Sequence, residues 1–265
     1  DGFDASMNYN FDYACVEFFG GGRDQITAGQ FDKRLRELRE AHPAEVAHVM
    51  QNLLDSHDTA RLASTLVNPD VWPIRDSGNF HRLTKVEHTP AYDTRAPNAA
   101  ERRRQQLLVL FQMTYVGAPM IYYGDEAGMW GANDPDCRKP MIWPEMEYEA
   151  EATLPDGRPR PQAYEVAFDH DLFDYYRRLI AIRKASPALR RGDYRTLLAD
   201  DDRRLFAFAR QTDDDAAVVA LNAGELMEVV ELAVPAGQWT DALNGEQYLA
   251  ANGRLSLTVP PLWGV

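Results

Sequence analysis

The stretch LLDSHDTARL, residues 53–62, gathers side chains that could do chemistry. An apolar run stops at Asp55, and Ser56, His57, Asp58 and Arg61 follow at once. A carboxylate accepts hydrogen bonds while the imidazole beside it can donate one, a combination that suits vicinal hydroxyls on a sugar ring. On this reading Asp58 is a buried carboxylate next to His57, and both aim into a polar pocket. The plainer alternative is an Asp or Ser that caps the next helix, with a histidine nearby by accident.

Two further clusters carry weaker signals. GAPMIYYGDEAGMWG (117–131) places Asp125 and Glu126 among Tyr123 and Trp130. Aromatic faces stack on the apolar faces of sugars, but a buried strand between turn glycines accounts for 119–122 without any ligand. In NDPDCRKPMIW (133–143), Asp134 and Arg138 stand four apart. They read either as a local ion pair or as a charged lip that hydrogen-bonds a more distant sugar. The chain has no P-loop, GxSxG, HExxH or GxGxxG motif. The histidines at 42, 48, 81, 88 and 170 lie in helical or polar contexts and read as solvated or structural.

The elements that must position these groups follow from periodicity. FDASM (3–7), VMQNLLD (49–55) and PMIYY (119–123) are short, buried-type strands. Helices are expected over 11–19, 27–42, 99–116 and 170–186, the last closed by Pro187. This β-α-β-α-β-α order is that of a parallel α/β sheet or barrel. In a (β/α)₈ barrel, chemistry sits just past the carboxyl ends of the strands, where Asp55–Asp58 and Gly124–Glu126 fall. Between them and the last helix, 124–168 is a long polar stretch with six prolines; loops of that length are usually functional. After residue 187 the period becomes two, in seven strand-like runs separated by turn residues, which suggests a β-sandwich. The expected domains are therefore 1–187 and 188–265.

Bulk properties narrow the partners. The 265 residues carry a net charge of −13, which argues against nucleic acid or an anionic membrane as the main partner. No run of about 18 apolar residues could cross a bilayer. Cys15 and Cys137 lie far apart and read as free thiols, and neither a metal site nor a cofactor is expected. The chain opens DGFDASMNYNF, with neither an initiator Met nor a signal peptide, so cytoplasm and periplasm both stay open.

Taken together, LLDSHDTAR, the later GAPMIYYGDEAGMWGANDPDCRKPMIW, the opening FDASMNYNF and LRRGDYRTLLADDDRRLFAFAR resemble the α-amylase-type glycoside hydrolases of family 13. The DPDCRKPM loop is most similar to the neopullulanase, cyclomaltodextrinase and maltogenic amylase branch. The resemblance implies strands six to eight of a (β/α)₈ TIM barrel with their helices, then a C-terminal antiparallel β-sandwich. It implies that Asp58 is the carboxylate that stabilises the transition state, that His57 contacts the same sugar, and that Asp134 and Arg138 serve the next subsite. It implies an α-glucan substrate: malto-oligosaccharides, pullulan, cyclodextrins or starch.

One departure weighs against activity in this chain. The family retains anomeric configuration with a nucleophilic Asp after strand four and an acid/base Glu after strand five, and such hydrolysis needs both carboxyls. The matching motifs are absent here. The expectation is an inactive C-terminal half of such an enzyme, whose barrel edges need cover from the N-terminal half or from self-association. Two rivals remain: an independent acid–base pair of Asp58 and Glu126, and a non-catalytic glucan-binding or scaffold protein.

Overall fold

The structure, a computed structural model, describes residues 5–71 and 82–265. Phe3 and Asp4 of the first expected strand, and His81, lie outside the described residues.

Three parallel segments stand side by side in the expected order. Met7 bridges Gln51, and β1 (Gln51–Asn52) pairs with β2 (Ala118–Pro119). The expected strands thus shrink to a bridge and two dipeptides. Beyond Asn52 the chain still buries Leu53 and Leu54, but side-chain amides replace the ladder. Asn52 donates to the Val116 carbonyl at 2.7 Å and accepts from Asn8 at 3.0 Å. Gln112 donates to the carbonyls of Asn52 and Met120, both at 2.9 Å.

The helices fall where apolar spacing and caps place them. In α1 (Tyr9–Phe19) the Asn8 side chain accepts from Phe11 N, and α2 (Ala28–Glu40) opens on a Thr27–Gln30 capping box. Short α3 (Ala44–Ala47) precedes β1, and α4 (Leu62–Val67) follows it. A second capping box, Asn98–Glu101, opens α5 (Ala99–Thr114). Helix α5 stops at Thr114, short of the expected Val116, because Tyr115 turns to extended backbone. Two arginines then satisfy its last carbonyls. Arg183 donates to Met113 O at 2.8 Å and Tyr115 O at 3.1 Å, and Arg210 donates to Thr114 O at 3.1 Å. The long polar stretch contains a hairpin that apolar periodicity did not reveal, β3 (Glu151–Thr153) with β4 (Pro159–Tyr164). Next come α6 (His170–Ala185) and α7 (Pro187–Arg191).

The period-two region forms β5 (Asp193–Asp200), β6 (Leu205–Gln211), β7 (Ala216–Asn222), β8 (Glu228–Ala233), β9 (Gly237–Thr240), β10 (Gln247–Ala250), β11 (Arg254–Val259) and the unforeseen β12 (Trp263–Gly264). Their pairings are antiparallel: a four-stranded sheet in the order β12-β7-β6-β5, and the pairs β8–β11 and β9–β10.

Strand β6 belongs to two cores at once. Leu205 and Ala207 face Val230, Leu232, Leu255 and Leu257 inside the sandwich. Phe206 and Phe208 face the helices, where Phe31 lies 5.1 Å from Phe206 and 4.6 Å from Phe18. Alternation of side chains across a strand makes this double duty possible.

Candidate functional site

At the carboxyl end of β1, the segment from Asp55 to Leu62 forms a closed turn. Asp55 closes it by accepting the Leu62 N–H at 2.6 Å. Within it, Ser56 N donates to Thr59 Oγ1 at 2.8 Å and Asp58 N donates to Ser56 Oγ at 3.0 Å. His57 and Asp58 ride at the apex.

All four residues singled out from sequence come together in one row. His57 Nε2 lies 3.4 Å from Asp58 Oδ2, and Arg138 Nη2 lies 3.4 Å from Asp58 Oδ1. Arg138 Nε donates to Asp134 Oδ1 at 2.7 Å, and Lys85 Nζ stands 3.7 Å from Asp134 Oδ2. The 3₁₀ turn Asp136–Arg138 presents the arginine, and Cys137 Sγ reaches the His57 carbonyl at 3.5 Å. Both cysteines are buried free thiols.

The expected burial of Asp58 is wrong: its side chain is 54% exposed. The apex projects away from the core, and the buried carboxylate of this segment is Asp55, three positions earlier. Trp130 is also buried, so it offers no open aromatic face, whereas Tyr123 does. Glu126 Oε2 is taken by the Gly124 N–H at 2.9 Å. Gly124 itself has φ +87 and closely abuts Met129, so a Cβ there would be both strained and crowded.

Beneath the apex lies a cluster whose roles sequence reasoning did not assign. Arg61 is fully buried and donates to Tyr123 O at 2.7 Å and to Asp125 Oδ1 at 3.0 Å. Its guanidinium lies 4.6 Å from the Tyr122 ring centre and 4.8 Å from that of Tyr123. Burial first, then the Asp55 charge, push Asp125 well above the usual carboxylate range, and Arg61 offsets this only in part. Burial also raises Asp55, against the hydrogen bond from Asp125 that favours its charged form. Burial thus raises both carboxyls of the hydrogen-bonded pair, which favours a proton held between Asp55 and Asp125. Asp12 of α1 is buried nearby, and burial and then Asp55 hold its carboxyl well above the usual range. Only the interruption of an apolar run at Asp55 hinted at any of this, and nothing in the helical pattern of 11–19 marked Asp12.

Fold and site together define part of a parallel α/β barrel, with the polar row at its strand ends, joined to a β-sandwich. The family description "Alpha amylase, catalytic domain" matches residues 87–192, and "Maltogenic Amylase, C-terminal domain" matches 194–263. Neopullulanase 2 of Thermoactinomyces vulgaris is 35% identical over 268 residues, covering 100% of this chain and 37% of that protein. Cyclomaltodextrinase of Geobacillus thermopakistaniensis is 32% identical, covering 98% of this chain and 36% of its own length. A solved cyclomaltodextrinase superposes with a TM-score of 0.72 at 31% identity, over 100% of this chain and 37% of that one. The chain belongs to the α-amylase family of glycoside hydrolases, in the branch of the neopullulanases and cyclomaltodextrinases. It spans little more than a third of the length of these relatives.

Proposed function

We propose that this chain supplies the sugar-gripping side of a retaining α-glucan hydrolase site, with Asp58 as the carboxylate that stabilises the transition state. The observation that carries this is the row His57–Asp58–Arg138–Asp134 at the carboxyl end of a barrel strand. Asp58 is exposed enough to accept hydrogen bonds from adjacent ring hydroxyls, and His57 donates to the same sugar. These bonds tighten as the ring distorts toward an oxocarbenium-like state, which lowers the barrier rather than merely the dissociation constant. Arg138 and Asp134 bind the next sugar. Neighbours named neopullulanase, cyclomaltodextrinase and amylopullulanase support malto-oligosaccharides, pullulan, cyclodextrins or starch as the substrate class.

The nucleophile and the acid/base belong to strands outside this chain, so the chain alone turns nothing over. Residues 1–187 form its barrel part and 188–265 its sandwich. The test is maltotriose titrated into the pure chain by calorimetry, with parallel turnover assays on pullulan and cyclodextrin. Saturable binding that Asp58→Ala abolishes, without turnover, is the expected result. Binding indifferent to Asp58, or sustained hydrolysis by the intact pure chain, would overturn it.

A further inference from the structure

We infer that Arg61 is a positioning residue: with Asp55 and Asp125 it fixes the turn whose apex carries His57 and Asp58. Asp58 lies three positions after Asp55 and three before Arg61, and these flanking residues are 2% and 0% exposed. The apex is exposed while both its anchors are immobilised.

Each anchor is tied to a different neighbour. Asp55 binds the Leu62 backbone and so closes the turn on itself. The Arg61 backbone N–H donates to Gly131 O at 3.0 Å, and its side chain grips Tyr123 O and Asp125 beyond the next strand. Asp125 joins the two anchors, since it hydrogen-bonds Asp55 and accepts from Arg61. The apex has lighter restraints of its own, from Tyr9 OH to Ser56 Oγ at 2.9 Å and from Cys137 to His57 O. Arg61 Nη1 serves the Tyr123 carbonyl and the Asp125 carboxyl at once while the guanidinium lies over the Tyr122 and Tyr123 rings; a lysine ends one bond short of that nitrogen and has no plane to lay on them. An amide in place of the Asp125 carboxyl keeps an acceptor for Arg61 and offers a donor toward Asp55 in the same shape. The structure thus separates Arg61→Lys, which breaks the clamp, from Asp125→Asn, which keeps it.

The bearing of this clamp on sugar binding rests on the proposed role of Asp58, but the clamp itself is read without sugar. The experiment records amide signals of the labelled chain by NMR for wild type, Arg61→Lys, Asp125→Asn and Asp125→Leu. In Arg61→Lys and Asp125→Leu the signals of His57, Asp58 and Thr59 should shift or broaden, while those of Val230 and Leu257 in the sandwich stay in place. In Asp125→Asn the apex signals should stay close to wild type. Maltotriose affinity should fall at least tenfold in the first two variants and little in the third. Apex signals unmoved in Arg61→Lys would overturn the inference, as would loss of all signals in Arg61→Lys and Asp125→Leu alike, which marks a general structural role. If the apex signals move as expected and no variant alters sugar affinity, the clamp stands and the proposed role of Asp58 fails.

Discussion

Asp12 offers the sharpest test of the buried charges. It lies in the first turn of α1, is 1% exposed, and neither of its oxygens has a hydrogen-bond partner among the described residues. Burial, and secondarily the charge of Asp55, raise its folded-state pKa well above 3.8. Between that ordinary value and the raised one, the folded chain binds more protons than the unfolded chain. Stability is therefore fully present below the ordinary value and declines as pH rises toward the folded pKa, by about 1.4 kcal/mol per pH unit inside the window. Asp12→Asn removes the titrating proton and keeps the shape. The variant should be within about 1 kcal/mol of wild type near pH 4, because both side chains are then neutral. It should overtake wild type as pH rises. For a chain of this size about 1.4 kcal/mol corresponds to roughly 3–6 °C in Tm, so the gap in Tm should widen by that much per unit at first. Thermal melts followed by circular dichroism from pH 4 to pH 8 measure this. Parallel Tm–pH curves for the two proteins, or a variant less stable throughout, would show that Asp12 carries its charge at ordinary pKa in the fold.

Two more outcomes follow from the packing. Arg210 is fully buried and donates to Thr114 O and Leu189 O at 3.1 Å and to Gly192 O at 2.9 Å, joining α5, α7 and the sandwich. Arg210→Met leaves those carbonyls without their donor and should cost about 2–4 kcal/mol, seen as a Tm lower by roughly 10 °C; a shift under about 2 °C would mean that water replaces the guanidinium. Among the described residues β2 pairs only with β1, and Met7 only with Gln51, so two parallel edges stay open. Light scattering after size exclusion should therefore find the chain associated or polydisperse, and a monodisperse species of 30.0 kDa would show that the edges close by themselves.

The parts legible in the sequence are those set by local rules. Thr27 and Gln30, or Asn98 and Glu101, announce a helix start wherever they stand, because capping is settled within four residues. The unbroken apolar run LFAFA within RLFAFAR marks β6, since a strand covered on both faces is apolar on both. The opaque parts depend on distant neighbours. Nothing in that run marks Arg210 as buried, yet its guanidinium reaches the Thr114 carbonyl at the end of α5, about a hundred positions earlier. The β3–β4 hairpin has mostly exposed side chains, so apolar periodicity is silent. The signal that could have found it is the turn sequence LPDG at 154–157.

The same division runs through the site. Residue types and spacing drew attention to His57, Asp58, Asp134 and Arg138, and the family resemblance supplied the roles proposed for them. They did not show which carboxylate of DSHD is buried, since that depends on where Asp125 and Arg61 come to lie. The two carboxylates differ by three positions and have opposite requirements. Asp55 tolerates burial because it accepts a backbone N–H, shares a hydrogen bond with the Asp125 carboxyl and lies in the field of the Arg61 guanidinium. Asp58 has only half-exposed ionic partners, His57 and Arg138. Ion pairs this exposed add little to stability. What the fold invests in this segment is concentrated beneath the apex, in the buried anchors Asp55, Arg61 and Asp125, and the apex groups are left exposed, as the sugar-binding role proposed for them requires.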